Sequence, residues 1–469
     1  MTLTLKWWDE ILNTVKLNNS NEDDILKKIK AKLREQDEGT YQEWEQKGFD
    51  INHPFTITTD NGQTDEEYTL LHFAAYNGHK DVVTTLLEEG ANVNEKHAGG
   101  WTPLHIAAHN GHKDVVTTLL EKGANVNEKH AGGWTPLHIA AYNGHKDVVT
   151  TLLEEGANVN EKEDDGWTPL YIAAHNGHKD VVTTLLEKGA NVNEKHAGGW
   201  TPLHIAAYNG HKDVVTTLLE EGANVNEKED DGWTPLHIAA RNGHKDVVTT
   251  LLEEGANVNE KEDDGWTPLH IAARNGHKDV VTTLLEEGAN VNEKHAGGWT
   301  PLYIAAHNGH KDVVTTLLEK GANVNEKHAG GWTPLHIAAR NGHKDVVTTL
   351  LEKGANPLIK DKAGYTPKQL AEDKNIIQLL KEAETNHIIG KAVKAGSVCV
   401  AIAALAVGGG LFAAGVALPI LALIGIAVAV ALVIGVIAGG ITYLVSRPSD
   451  KLDKPDSEVI NQQASERAC

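Results

Sequence analysis

Residues 101–129 read WTPLHIAAHNGHKDVVTTLLEKGANVNEK, and that string returns down the chain almost letter for letter. Its tryptophans fall at Trp101, Trp134, Trp167, Trp200, Trp233, Trp266, Trp299 and Trp332, each 33 residues after the last. A fixed period of this size specifies a stacked-repeat solenoid rather than a globule around one core. Such a stack presents the same few positions over and over, and surfaces of that kind bind other molecules. Within a unit, Thr102 before Pro103 predicts a helix cap with proline in the first turn. Leu104 to His109 form a short first helix, ended by Asn110 and Gly111. Asp114 to Glu121 form the second, with Val115, Val116, Leu119 and Leu120 as its apolar side. Gly123 fits the left-handed residue beyond a helix end, and Asn125 to Gly133 turn back as an extended finger. Neither helix is long enough to stand alone in water, so only stacking buries their faces.

Regular units begin at Tyr68, at each of the eight tryptophans and at Tyr365. We read residues 68–384 as the solenoid, about ten units, the last acting as a C-terminal cap. Residues 1–52 lie outside the strict repeat. Ser20 or Asn21 reads as a helix cap, and Ile25, Ile29 and Leu33 recur on one helical face. Residues 41–52, YQEWEQKGFDIN, echo the end of a unit, so 21–52 read as a degenerate first repeat with a polar outer face. Residues 1–16 predict one more amphipathic helix, with Trp8, Ile11, Leu12 and Val15 on one side, packed on that cap. Residues 53–67 are a linker or finger, and 385–394 a second linker.

The units resemble ankyrin repeats. Thr102 to His105, Ala107-Ala108 with Asn110 to His112, Val115-Val116 with Leu119-Leu120, and Gly123 to Asn127 match that family's pattern in order and spacing. The resemblance covers about 68–384 and implies an all-α ankyrin-repeat solenoid, each unit two antiparallel helices and a β-hairpin-like finger. It also implies that fingers and first helices line a concave groove whose usual job is binding. The chain also resembles tandem ankyrin proteins of intracellular bacteria, some of which have apolar C-termini. Thr102 and His105, with their equivalents, resemble the pair that stitches neighbouring units together, which makes those histidines structural. Tyr171 and Tyr303 replace that histidine, so local packing should differ there.

Near-identical copies make their differences informative. The residue before Asn-Gly is Tyr76, His109, Tyr142, His175, Tyr208, Arg241, Arg274, His307 and Arg340 in successive units. In the ankyrin pattern this position faces the groove, and so does the residue before Thr-Pro, here the eight tryptophans. With helix layers ~10 Å apart, the tryptophans would span on the order of 70 Å. Trp, Tyr and Arg dominate binding hot spots, so the two rows together are the candidate partner-binding surface. The alternative is that each Trp packs across the base of its own finger and tandem duplication simply multiplied it. Both readings stand at this stage. The finger tips come in two versions, His97-Ala98-Gly99-Gly100 and Glu163-Asp164-Asp165-Gly166, and the acidic one reads as a solvated tip.

Composition narrows the function class. With 43 basic against 65 acidic residues the net charge is −22, a poor basis for binding phosphate backbones, so no nucleic-acid partner is expected. The two cysteines, Cys399 and Cys469, form no disulfide framework or metal knuckle. The 26 histidines sit at repeat-specified places, and no metal, cofactor, small-molecule substrate or catalytic site is expected.

The C-terminus breaks the pattern. From Ala395 to Ser446 there are 52 residues without a charge, where one membrane crossing takes ~20. Leu418-Pro419 marks a turn between two helices, 395–417 and 420–446; a turn at Gly408 to Gly410 would leave one helix short. Lys391 and Lys394 flank one end and Arg447, Lys451 and Lys454 the other, which favours a transmembrane hairpin with both flanks cytoplasmic. Gly435 and Gly439 allow close helix contact. An apolar helix pair buried in protein is the competing reading. Residues 447–469 read as a disordered polar tail. The expected protein is a two-span membrane scaffold whose ankyrin body and both termini are cytoplasmic and whose groove binds a protein. Its rival is a membrane-active, pore-forming or effector protein using ankyrins for targeting. A purely soluble binding protein is the third.

Overall fold

The computed structural model describes residues 4–16, 25–58, 64–97 and 99–391. The chain divides into two compact units, 1–387 and 388–469, and every element named below lies in the first. The hairpin 395–446, its glycines Gly435 and Gly439, the tail 447–469 and the Ser20/Asn21 cap all fall outside the described residues. Among those described, no helix is long and apolar enough to cross a membrane.

The N-terminal helices are α1 (Leu5–Lys16), α2 (Ile25–Gln36) and α3 (Glu38–Gln46). Trp8, Ile11 and Leu12 on α1 are buried, as are Ile25, Ile29 and Leu33 on α2 and Trp44 on α3. Aromatic rings make this end. Trp8 stacks on Phe73 at 4.6 Å between centroids and meets Phe55 edge-on at 4.9 Å. Trp44 also meets Phe55 edge-on, at 5.6 Å. Large rings fill space that another helix pair would otherwise take, so the first regular unit is covered on its outer side. The chain then forms β1 (Phe55–Thr58) and β2 (Thr64–Tyr68), antiparallel with Phe55 opposite Tyr68. These are the strands found among the described residues.

The regular units follow as helix pairs: α4 (Leu70–Tyr76) with α5 (Lys80–Glu88), then α6 (Pro103–Asn110) with α7 (Lys113–Glu121), and so on to Lys344–Glu352. The first helix is one residue longer at each end than its sequence pattern suggested, because Pro103 occupies the first turn and Asn110 the last. Gly111 closes it in the left-handed region at φ 75°. In α7, Val115, Val116 and Leu119 are buried, while Leu120 is only partly covered. The first helices bury Ile106, Ala107 and Ala108. Small alanines let first helices of neighbouring units pack more closely than the second helices do.

After Gly123, at φ 90°, the finger turns back. It is tighter than a β-hairpin. The His130 N–H donates to the Trp134 carbonyl at 3.0 Å, and the Gly133 N–H returns to the His130 carbonyl at 2.9 Å. That closure leaves no room for a strand ladder, which corrects the hairpin-like finger expected of every unit. At the far end, a short helix Pro367–Leu370 and a helix beginning at residue 374 bury Ile376 and Leu380, while Lys368 pairs with Glu384.

Candidate interaction surface

Three ladders of identical contacts hold the units in register. In the first, the Thr102 N–H and hydroxyl both donate to His105 Nδ1, at 3.2 and 2.8 Å. His105 Nε2 then donates to the Trp134 carbonyl of the next unit at 3.2 Å. The bonds fix a neutral ring with its proton on Nε2, since a carbonyl can only accept. The same arrangement recurs at His72, His138, His204, His237, His270 and His336. Burial pushes His105, His138, His204, His237 and His270 down to about 4 and His72 to about 3. At Tyr171 and Tyr303 the ladder is interrupted. There the threonine oxygen accepts from the tyrosine N–H, at 3.2 Å in both units. The buried phenol meets a finger histidine edge-on, His196 at 4.8 Å and His328 at 5.0 Å.

The second ladder was not read from the sequence. It uses the histidine of Asn-Gly-His. His112 Nε2 donates back to the Tyr76 carbonyl and His145 Nε2 to the His109 carbonyl, each at 2.9 Å. The bond continues through His178, His211, His244, His277, His310 and His343. The ring lies so close to the preceding unit that a Cβ on Gly111 would sit 2.8 Å from His145 Nδ1. Glycine is therefore required there twice, for its φ and for the ring against it.

The third ladder is asparagine. Asn94 Oδ1 accepts from the Asn125 N–H at 2.8 Å, and this repeats to Asn325 with Asn356. It begins at Asn52, which accepts from Asn92 at 2.8 Å, so the degenerate N-terminal repeat joins the stack by the same bond. Beside it run surface ion pairs such as Lys129–Glu161 at 2.7 Å and Lys195–Glu227 at 2.7 Å. Each lysine lowers the pKa of its glutamate.

The residues predicted to face a partner give the ladders only their backbone carbonyls, and their side chains lie apart from these bonds. Every tryptophan of the row is half-buried. Each ring is met by the variable residue eight positions on in its own unit. Trp101 meets His109 at 5.8 Å, Trp134 meets Tyr142 at 5.7 Å, and Trp167 meets His175 at 5.9 Å. Trp200 meets Tyr208 at 5.8 Å and Trp299 meets His307 at 5.9 Å. Arg241, Arg274 and Arg340 carry their guanidinium groups over Trp233, Trp266 and Trp332, at 5.7, 5.6 and 5.1 Å. The two rows are thus one layer of paired side chains. Tyr76, in the unit that begins with Tyr68 instead of Trp, is partly buried against the core. Tyr142 and Tyr208 are exposed, at 49% and 37%.

Finger histidines join this layer. His130 stacks between Trp101 at 5.4 Å and Trp134 at 6.4 Å, with ring planes within 13° of both. The acidic finger replaces His130's counterpart with Glu163, and this corrects the solvated tip. Glu163 is buried, its Oε1 accepting from the Asp165 and Trp167 N–H groups at 3.0 and 2.8 Å. Glu262 is buried likewise and accepts from Trp266 at 2.7 Å. Burial raises the pKa of Glu262 and of Glu229. Only the two aspartates of the triplet Glu163-Asp164-Asp165 point outward. Among the described residues, no group of three His, Cys, Asp or Glu is placed to hold a metal ion.

A family model described as ankyrin repeats, three copies, matches residues 48–130, 127–196, 192–262, 223–295, 256–328, 293–361 and 325–389. The chain belongs to the ankyrin-repeat family. Such repeats form protein–protein interaction scaffolds and are typically non-enzymatic. None of the curated proteins matches the chain. The crystal structure of the human ASB11 ankyrin repeat domain is similar at 32% identity and a TM-score of 0.44, over 48% of this chain and 99% of that one.

Proposed function

We propose that this ankyrin-repeat chain is a membrane-anchored scaffold that binds a protein partner through its tryptophan face. The observation that carries the partner surface is the paired layer, from Trp101 with His109 to Trp332 with Arg340. Its side chains are of hot-spot type, half-exposed, and not consumed by the three ladders that hold the fold. Removing Trp167, Trp200 and Trp233 together to alanine should abolish capture of the partner while the helix content stays. Retention of every partner by that variant would sink the assignment.

The anchor rests on residues 395–446, whose 52 uncharged positions suit two crossings, with basic flanks keeping the ankyrin body and both termini cytoplasmic. Near-identical tandem units and an apolar C-terminus support a likeness to the tandem ankyrin proteins of intracellular bacteria. Alkaline carbonate extraction of the full chain and of one stopped after Asn386 tests the anchor. Only the full chain should stay in the membrane pellet; release of both would mean the tail is covered by protein instead.

A further inference from the structure

We infer that the pocket between the units of Trp101 and Trp134 is a receptor for an arginine side chain presented by a basic segment of the partner. The proposal rests on the scaffold reading above and names the chemistry of that same face. The pocket is open, about 300 Å³, and lined by Trp101, His109, His130, Trp134 and Tyr142, with Ile139 beneath. Five of its seven lining residues are aromatic, Ile139 and Asn143 being the others. Flat π faces around an open volume are a cation's preferred apolar surroundings.

The molecule itself supplies the comparison. In three later units the residue eight after the tryptophan is arginine, and each time its guanidinium sits over that tryptophan, at 5.7, 5.6 and 5.1 Å. The Trp faces of this fold therefore take a guanidinium where the chain provides one. At Trp101 and Trp134 the same position holds His109 and Tyr142, and both rings line the open volume. What Arg241 does from within, a partner's arginine would do from outside. Charge points the same way. Asp164 reaches Gly133, where a Cβ would lie 2.5 Å from its carboxylate oxygen, and its charge is felt by His130. A carboxylate close enough to act on His130, one wall of the pocket, favours a cation there over a neutral group. The whole chain, at −22, draws basic segments toward it.

The test uses the full chain in neutral detergent and the peptide N-acetyl-(Arg-Gly)4-amide, with a citrulline version as its uncharged isostere. Tyr142→Arg and His109→Arg each install over Trp134 or Trp101 the residue that the chain already carries at Arg241, so the fold is kept. Glu155→Gln changes the net charge by the same single step as Tyr142→Arg, on an exposed position away from the pocket. The arginine peptide should bind at least tenfold more tightly than its citrulline isostere. Each pocket-filling variant should weaken it tenfold or more, and Glu155→Gln less than twofold. Equal losses in all three variants would mean diffuse attraction to an acidic protein, and no loss in any would mean the peptide sits elsewhere; either overturns the pocket. Partner capture that still depends on Trp167, Trp200 and Trp233 would in that case leave the scaffold standing without this ligand.

Discussion

The buried histidines of the first ladder make the stack acid-sensitive, and two tyrosine substitutions should remove a countable part of that sensitivity. Burial holds His105 and His270 at about 4 in the folded chain, against 6.5 for the free side chain. The folded state keeps them neutral and the unfolded state protonates them more readily. Their stabilisation is therefore complete above pH 6.5 and is lost as pH falls from 6.5 toward 4. At pH 5 the unfolded chain has taken up nearly one proton per histidine and the folded chain almost none, a cost of about 2 kcal/mol for each. Geometry adds a reason beyond desolvation: Nδ1 faces the Thr102 N–H at 3.2 Å, so a second ring proton would oppose a donor. The chain already tolerates tyrosine at this position in Tyr171 and Tyr303, and both are followed by a histidine finger. His105 and His270 are followed by histidine fingers too, which makes them the sites for His105→Tyr and His270→Tyr. Five units separate them, so their effects should add. Urea unfolding of residues 1–391, followed by far-UV circular dichroism at pH 7 and pH 5, gives the loss on acidification for parent and variants. That loss should shrink by about 2 kcal/mol in each single variant and about 4 in the double. An unchanged loss in the double variant would refute the claim that these rings are neutral and buried by the ladder.

Gly177→Ala should destabilise by at least about 1–2 kcal/mol, because its φ is 77° and a Cβ would lie 2.7 Å from His211 Nδ1; thermal unfolding measures it. Asn193→Ala removes the acceptor of the Asn224 N–H, at 2.9 Å, and should cost about 1 kcal/mol, seen as faster amide exchange in the finger that begins at Asn224. The Lys–Glu ladder should contribute little, since its lysines are exposed; 1 M salt should leave the melting temperature within a few degrees. Glu262→Gln should be less destabilising at pH 7 than at pH 4, because burial disfavours the carboxylate that Glu262 carries at pH 7 while an amide oxygen can still accept from the Trp266 and Asp264 N–H groups; paired melts at pH 4 and 7 test it.

The period made the architecture legible before any coordinate. Helix positions, caps and the closing glycine of α6 follow from Thr102, Pro103 and Gly111, residues with one conformational use each. The stitching Thr102–His105 pair came from family resemblance, and its bonds are present at every unit that keeps the histidine. What stayed hidden were bonds whose partner lies one unit away. His112 meets a carbonyl 36 residues back and Asn125 a side chain 31 residues back, and periodicity alone does not say which copies touch. Glu163 was misjudged because three acids in a row look solvated. A signal was available: histidine and glutamate share one slot. His130 Nδ1 accepts from the N–H two residues on at 2.8 Å, and Glu163 Oε1 does the same at 3.0 Å. The slot calls for an acceptor, which either residue supplies.

The ladders also explain where variation is confined. A residue whose side chain bonds a neighbouring unit is constrained from both sides, since every inner unit both gives and receives that bond. His145, Asn94 and Glu128 are of this kind. The position before Asn-Gly offers the next unit only its backbone carbonyl. His145 takes that carbonyl whether the side chain above it is His109, and His277 does the same beneath Arg241. Its side chain meets the tryptophan of its own unit and makes none of the three ladder bonds. It can therefore change from tyrosine to histidine to arginine one unit at a time, without a matching change next door. A stack built this way holds its shape with one set of positions and tunes its face with another. From Tyr142 to Tyr208 the row is tyrosine and histidine, and from Arg241 on it is arginine interrupted by His307, so the arginines gather toward the C-terminal units. Under the scaffold proposal, moving arginine from position 241 to position 142 should displace the arginine peptide from the first units without loosening the stack.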